Sequence, residues 1–212
     1  HRLKTGCQWR ELPTRQFFVS GTILDWNTVY YHFNKWSKAG CWKQVWLSVL
    51  MNHRAYLDLS SMELDGSHTP AKNGGEAVGY QGRKGCKTSN ALFISDSQGV
   101  MLAMSTPQEG QHHDLFEIQS LFEELCTILK EAKIDLEDLF LNADPGFDSE
   151  NFREACEKEN IFPNVKPNPR NKSKNEDREP YQSGTHIFDE EKKKKRTVIE
   201  HANAWLDGFK AL

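Results

Sequence analysis

A chain of 212 residues with 37% hydrophobic and 27% charged residues holds enough apolar material for one buried core and a small appendage. No run approaches the roughly 18 apolar residues of a membrane span, and no signal-peptide pattern opens the chain, so membrane-spanning and exported classes are not expected. A formal net charge of −3, from 27 basic and 30 acidic residues, excludes a protein that holds nucleic acid through bulk positive charge.

Residues 1–55 read as a helical region. Behind Asp25, the residues Trp26, Val29, Tyr30, Phe33 and Trp36 recur at helical spacing, and Gly40 closes the segment. A second short helix is expected from Trp42 to Met51, and with Trp9 the tryptophans suggest a compact unit stapled by aromatics. A cap packed on a larger domain and a DNA-contacting module are equal readings of this region.

From Tyr56 the pattern changes, and residues 56–212 read as a larger domain. Leu57, Leu59 and Met62 to Leu64 predict a strand ending at Asp65, followed by a Gly-rich loop from Gly74 to Gly85. The runs Asn90 to Ser95 and Val100 to Ser105 predict a hairpin turned by Asp96-Ser97-Gln98-Gly99. Asp114 to Leu129 predicts a helix opened by a capping box of Asp114 and Glu117. Leu139 to Ala143 predicts a strand ending at Asp144, Asp148 an N-cap for a helix reaching about Asn160, and Ile161 to Val165 a further strand. Residues 166–188 predict a mobile basic loop, and a last helix is expected from Glu190 to the end. This order is an α/β layout, a mixed sheet flanked by helices.

The cysteines (Cys7, Cys41, Cys86, Cys126, Cys156) are odd in number and form no Cys-x-x-Cys pair, which argues for idle thiols over disulfides or a zinc knuckle. The chain opens on His1 and closes at Leu212 within a helical pattern, so it reads as a piece of a longer frame. Positive charge gathers at Lys166 to Lys174 and Lys192 to Arg196, which permits local phosphate binding despite the acidic total.

Two carboxylates, Asp65 and Asp144, sit at the ends of separate predicted strands. Ligands of open α/β sheets gather at the carboxyl ends of strands, so the two acids can converge there. Converging carboxylates need a cation, and oxygen donors suit magnesium or manganese. By spacing alone, an acid in such a place is more often a turn residue or helix cap.

The local sequences carry more. Leu64-Asp65-Gly66-Ser67-His68, Ala143-Asp144-Pro145-Gly146-Phe147-Asp148-Ser149 and Arg196-Thr197-Val198-Ile199-Glu200 with Ala204-Trp205-Leu206 and Phe209 resemble the three acidic motifs of bacterial insertion-sequence DDE transposases of the type-four and type-five groups. Two further stretches agree with that family: Thr106-Pro107 with Gly110-Gln111-His112-His113-Asp114, and Thr5-Gly6-Cys7-Gln8-Trp9-Arg10-Glu11-Leu12-Pro13. The matches run in order over nearly the whole chain.

The resemblance implies an RNase H-like core with Asp65 on the first strand, Asp144 after the fourth and Glu200 on a late helix, the three holding two Mg2+ or Mn2+ ions. It implies cleavage and strand transfer at insertion-sequence ends, double-stranded DNA as partner, a homodimer when active, and a bacterial cytoplasmic, nucleoid-associated setting. Phosphate contacts are expected from Lys166, Arg170, Lys172, Lys174, Arg196 and Lys210, against the commoner outcome of solvated charge. Two departures stand out: the family commonly has lysine at Pro145, and arginine with an aromatic where His201, Ala202 and Asn203 follow Glu200.

On the last helix, Val198, Ala202, Trp205, Phe209 and Leu212 form an apolar stripe, opposite Arg196, Glu200, Asn203, Asp207 and Lys210. Bare geometry reads Glu200 as surface, paired with Arg196 four residues earlier. His112 and His113 read as loop residues, and His68 lies close to Asp65. Rival readings are an inactive relic that only binds DNA, a nuclease without strand transfer, and a structural protein unrelated to DNA.

Overall fold

The computed structural model describes residues 1–17, 24–71, 74–168, 188–194 and 196–209. The chain divides into two compact units, His1–His53 with Ala204–Leu212, and Arg54–Asn203.

The first unit carries α1 (Arg2–Thr5), α2 (Trp26–Lys38) and α3 (Cys41–Asn52). Asp25 caps α2 by accepting from the Asn27 N–H at 2.9 Å, and Gly40, at φ 67°, makes the left-handed turn into α3. Trp9 packs its ring on Tyr30 and Phe33 at 5.2 and 5.1 Å, while Phe33 and Trp36 meet Trp42 at 5.6 and 5.8 Å. Each such pair contributes about 0.5–1.5 kcal/mol beyond its buried area. The aromatic staple expected from the tryptophan spacing is therefore present.

The second unit is built on a mixed sheet. Its described strands are β1 (Met62–Pro70), β2 (Gly79–Gln81), β3 (Cys86–Asp96), β4 (Met101–Met104), β5 (Gln108–Glu109), β6 (Phe140–Ala143) and β7 (Phe162–Val165). The order is β2-β3-β1-β6-β7, with β4 and β5 also paired to β3. β1 lies antiparallel to β3 and parallel to β6, and β7 is parallel to β6. This is the mixed α/β sheet with flanking helices of an RNase H-like fold.

Side chains alternate across a strand, so β1 serves two faces. Met62 and Leu64 are fully buried, as are Leu92, Ile94 and Leu141 at matching register positions. On this face α4 (Ile118–Glu131) packs against β3, β4 and α5 (Glu150–Lys158). Leu121, Phe122, Leu125 and Leu129 line its buried side, and Phe122 meets Phe152 edge-on at 5.4 Å. Each fully buried side chain of this size contributes about 1.5–3 kcal/mol. The other face of the sheet carries α6 (Glu190–Lys194), packed on β6. A further helix, α7, spans Thr197–Asp207.

Several expectations are corrected. β1 does not stop at Asp65 but runs to Pro70, because β3 pairs with it over its whole length. The Gly-rich segment contains β2, and with β5 this puts Asp144 after the sixth described strand, not the fourth. The capping box does not form: α4 starts at Ile118, Glu117 sits at φ 49° without a side-chain cap, and Asp114 bonds elsewhere. Ser149, not Asp148, caps α5, accepting from the Phe152 N–H at 3.2 Å. Asp148 is instead held by Arg153 at 2.6 Å and by the Asn168 N–H at 2.7 Å. The last helical region is two helices, and on α7 the buried side is turned from the expected stripe: Val198 and Ala202 are half-buried, while Glu200 and Asp207 are exposed as expected. Ile199 and Asn203 are buried while Trp205 is 66% exposed. The predicted hairpin is present, and at its tip Gly99 (φ 88°) brings its α-carbon so close to Val198 that a Cβ would lie 3.1 Å from the Val198 carbonyl oxygen.

Candidate active site

The site rests on a buried polar row. Register pairs Glu63 with Asn142, and Asn142 with Asn164, across β1, β6 and β7. All three are essentially without solvent contact. Ser61 Oγ and Asn142 Nδ2 donate to Glu63 Oε1 at 3.0 and 2.9 Å, and Asn164 Nδ2 donates to Asn142 Oδ1 at 2.6 Å. The row then fastens the entry to α6: Asn164 Nδ2 donates to the Asp189 carbonyl, the Asp189 N–H donates back to Asn164 Oδ1, and Asn142 Nδ2 reaches the Lys192 carbonyl. Buried hydrogen-bond networks of this kind hold together the elements they join.

Two residues beyond the members of this row come Asp65 on β1, Asp144 directly after β6 and Lys166 directly after β7. β1 and β6 pair in parallel through Glu63 and Asn142, and Asp144 comes near enough for its charge to act on Asp65. Pro145 and the turn that it opens end β6 there. Asp144 Oδ1 accepts from the Gly146 N–H at 2.6 Å, which orients the carboxylate at the strand end.

Asp65 is engaged from the last helix. Arg196 Nη2 donates to Asp65 Oδ1 at 3.0 Å, and Asn203 Nδ2 donates to Asp65 Oδ2 at 3.0 Å. The other end of the guanidinium, Nη1, donates to Glu200 Oε1 at 3.2 Å. The burial of Asn203 on α7 goes with this: the half-buried Asp65 carboxylate needs donors, and Arg196 and Asn203 supply them. The Asp65 carboxyl is pushed above its ordinary value, chiefly by burial. Arg196 opposes that shift, while the charges of Asp144 and Asp114 add to it. Glu200 stays 55% exposed in its side chain.

The donor chemistry fits a hard divalent ion: carboxylate oxygens of Asp65, Asp144 and Glu200, and beside them Asn203 Oδ1, buried and without a hydrogen-bond partner. In the geometry present, the guanidinium separates Asp65 from Glu200. Accordingly, among the described residues no group of three or more His, Cys, Asp or Glu side chains is arranged to hold a metal.

The opposite face of β1 holds a second polar cluster. Asp114 lies against Gly66, where an added Cβ would stand 2.3 Å from its Oδ1, and Asn90 Nδ2 donates to that oxygen at 2.9 Å. His68 Nδ1 is 3.1 Å from Thr88 Oγ1, and Gln81 Nε2 is 3.3 Å from His68 Nε2 while donating to the Gly110 carbonyl at 2.9 Å. Burial lowers the His68 pKa. His112 stacks on Phe116, and His113 Nδ1 accepts from the Leu115 N–H, so both serve the turn before α4.

Of the expected phosphate contacts, Lys166 is exposed at the end of β7, while Arg196 is drawn onto Asp65 with its side chain 16% exposed. Arg170, Lys172, Lys174 and Lys210 lie outside the described residues. Asn203, Asp114 and the row Glu63–Asn142–Asn164 escaped the sequence reading as site residues. The signal for the row was a lone polar residue inside each short apolar run.

Among the described residues, no helix is long and apolar enough to cross a membrane. Neither curated proteins nor solved structures gave a match. A family model described as a transposase of the IS4/5 family matches residues 1–46, and one described as a DDE superfamily endonuclease matches residues 63–212. The chain belongs to the DDE superfamily endonucleases, and its family domains are those of a transposase.

Proposed function

We propose that Asp65, Asp144 and Glu200 form the catalytic centre of a transposase that cuts phosphodiester bonds at insertion-sequence ends and joins the freed 3′-hydroxyl to target DNA. Three observations support this reading: Asp65 lies on β1 and Asp144 directly after its parallel neighbour β6, the Asp144 charge acts on Asp65, and Arg196 ties the Glu200 carboxylate to Asp65. Two magnesium or manganese ions, when bound, would neutralise charge on the reacting phosphate and lower the pKa of the attacking water. Asp65 and Asp144 would hold them, with Glu200 completing the set. Asn203 keeps Asp65 Oδ2 oriented, and the Gly146 N–H does the same for Asp144 Oδ1. Lys166, directly after β7, would meet a phosphate of double-stranded DNA, as would the basic residues that follow it. Recognition of transposon ends is assigned to residues 1–55, and pairing of two ends to a homodimer of a cytoplasmic, nucleoid-associated protein.

The test is Mg2+- or Mn2+-dependent cleavage and joining of DNA carrying the flanking element's ends, with Asp144→Asn beside the unaltered chain. Cleavage and joined product that vanish in the variant support the reading. Cleavage without joined product would make the chain a nuclease only. A second reading, a chain that binds DNA without cutting it, draws on the ion pairs that hold Arg196 on both Asp65 and Glu200. DNA retention without metal-dependent cleavage would establish it.

A further inference from the structure

We propose that Arg196 is a built-in counter-cation: it keeps divalent metal off the carboxylates until a DNA phosphate draws it away, so that DNA and metal bind cooperatively. The proposal rests on the catalytic reading above and adds regulation to that site.

The geometry sets the competition. One guanidinium reaches Asp65 Oδ1 at 3.0 Å and Glu200 Oε1 at 3.2 Å, so it supplies the positive charge that both carboxylates need. A metal ion on Asp65 Oδ1 would stand within contact distance of that guanidinium, and like charges so close in a partly dewatered site repel strongly. Arg196 and the metal are therefore alternative occupants. The Asp65–Glu200 spacing also differs between the two states, because a guanidinium is wider than a bare ion.

Two buried atoms mark the present arrangement as incomplete. Arg196 Nε has no hydrogen-bond partner, so the pocket satisfies this cation's charge but not its full set of donors. Asn203, 8% exposed, turns its Nδ2 to Asp65 and leaves Oδ1 without a donor. An oxygen acceptor beside a carboxylate is the chemistry that a divalent ion, or its bound water, completes.

The displacing group is a phosphodiester. Arginine binds phosphate through paired N–H donors at least as well as it binds carboxylate. The Glu200 arm of the bridge is the weak one, being more than half exposed. DNA entering beside Lys166 would offer Arg196 a phosphate in exchange for the two carboxylates, releasing both to metal together. Linkage then requires metal to tighten DNA binding by the factor by which DNA tightens metal binding.

The experiment measures Mn2+ binding to the intact chain by the electron paramagnetic resonance signal of free Mn2+. It is run with and without a duplex of the element's end, correcting for the duplex alone. The unaltered chain, Arg196→Gln, Arg196→Lys and Asp144→Asn are compared, with circular dichroism as the folding check. In the unaltered chain, DNA is expected to tighten Mn2+ binding about tenfold; Arg196→Gln alone should bind about tenfold tighter, with little further gain from DNA. Arg196→Lys, whose point charge cannot fork between two carboxylates, should fall between the two and answers the question if the glutamine variant does not fold. Unchanged or weaker Mn2+ binding in the position-196 variants, with binding lost in Asp144→Asn, overturns the counter-cation role and leaves the catalytic centre standing. Absence of any Asp144-dependent Mn2+ site in all of the chains overturns both.

Discussion

Asp65 and Arg196, 131 residues apart in the chain, meet at 3.0 Å with side chains 19% and 16% exposed. The pair joins the central strand β1 to the head of α7, and Asn203 of that helix turns inward to the same carboxylate. Its energetic sense is asymmetric. Removing one member strands the other in a partly dewatered place, whereas the exposed arm from Arg196 to Glu200 contributes little to stability. The same contact that orders the helix thus sets the resting charge of the candidate centre.

Asn203 supplies the second hydrogen bond to Asp65. Asn203→Leu keeps much of the volume but removes the donor to Oδ2, leaving half of the carboxylate unsatisfied. The expected loss is about 1–3 kcal/mol in urea unfolding, with an unchanged dependence on denaturant. Asn203→Asp, which places another negative charge against Asp65, should cost more. A leucine variant as stable as the parent would show that the contact contributes nothing.

Local pattern was legible in the sequence, and direction was not. The apolar run before Asp144, the hairpin turn at Asp96 to Gly99 and the aromatic spacing of α2 are local signals, and each found its element. Periodicity on α7 revealed two chemically different faces. It could not say which turns inward, because the deciding partner, Asp65, lies on a distant strand. Asp114 shows the reverse failure. Its local capping-box spacing lost to a tertiary hydrogen bond from Asn90, which brings Asp114 against Gly66. β2 and β5, at three and two residues, are too short to show any period.

Gly66 is fixed by that contact. A Cβ there would stand 2.3 Å from Asp114 Oδ1, and the short Asp114 side chain is anchored by Asn90. Gly66→Ala should therefore destabilise the fold by about 1–3 kcal/mol. In an Asp114→Ala background the clash is gone, so the cost of the same substitution should shrink. The double-mutant cycle reads the difference as a coupling of about 0.5–3 kcal/mol. Additive losses would mean that the carboxylate swings aside freely.

His68 gives an acid-side prediction. Its pKa is lowered from the ordinary 6.5, first by burial, with Lys84 and Arg83 acting in the same direction and Asp114 against it. The unfolded chain therefore takes up a proton at this residue more readily than the folded one. The stability contributed by the neutral ring is fully present above the unfolded value and is lost as pH falls through the lower folded one. His68→Gln should lose less melting temperature between about pH 7.5 and about pH 5.5 than the parent does. Parallel acid slopes in the two proteins would refute the assignment.

The polar row yields the last prediction, on how α6 is held. Asn164 makes two bonds to the Asp189 backbone, donating to its carbonyl and accepting from its N–H, both at 2.9 Å, and a third to Asn142. Asn164→Ala removes all three and leaves buried Asn142 Oδ1 without that donor. Stability should fall by about 1–3 kcal/mol for each buried group left unsatisfied. The more telling readout is local, because α6 carries Lys192, Lys193 and Lys194, and Asp189, which Asn164 holds, leads directly into it. Limited trypsin digestion under native conditions should cut at these lysines faster in the variant, ahead of global unfolding. If cleavage there accelerates only in step with global stability, the row is a core feature and not the anchor of the helix.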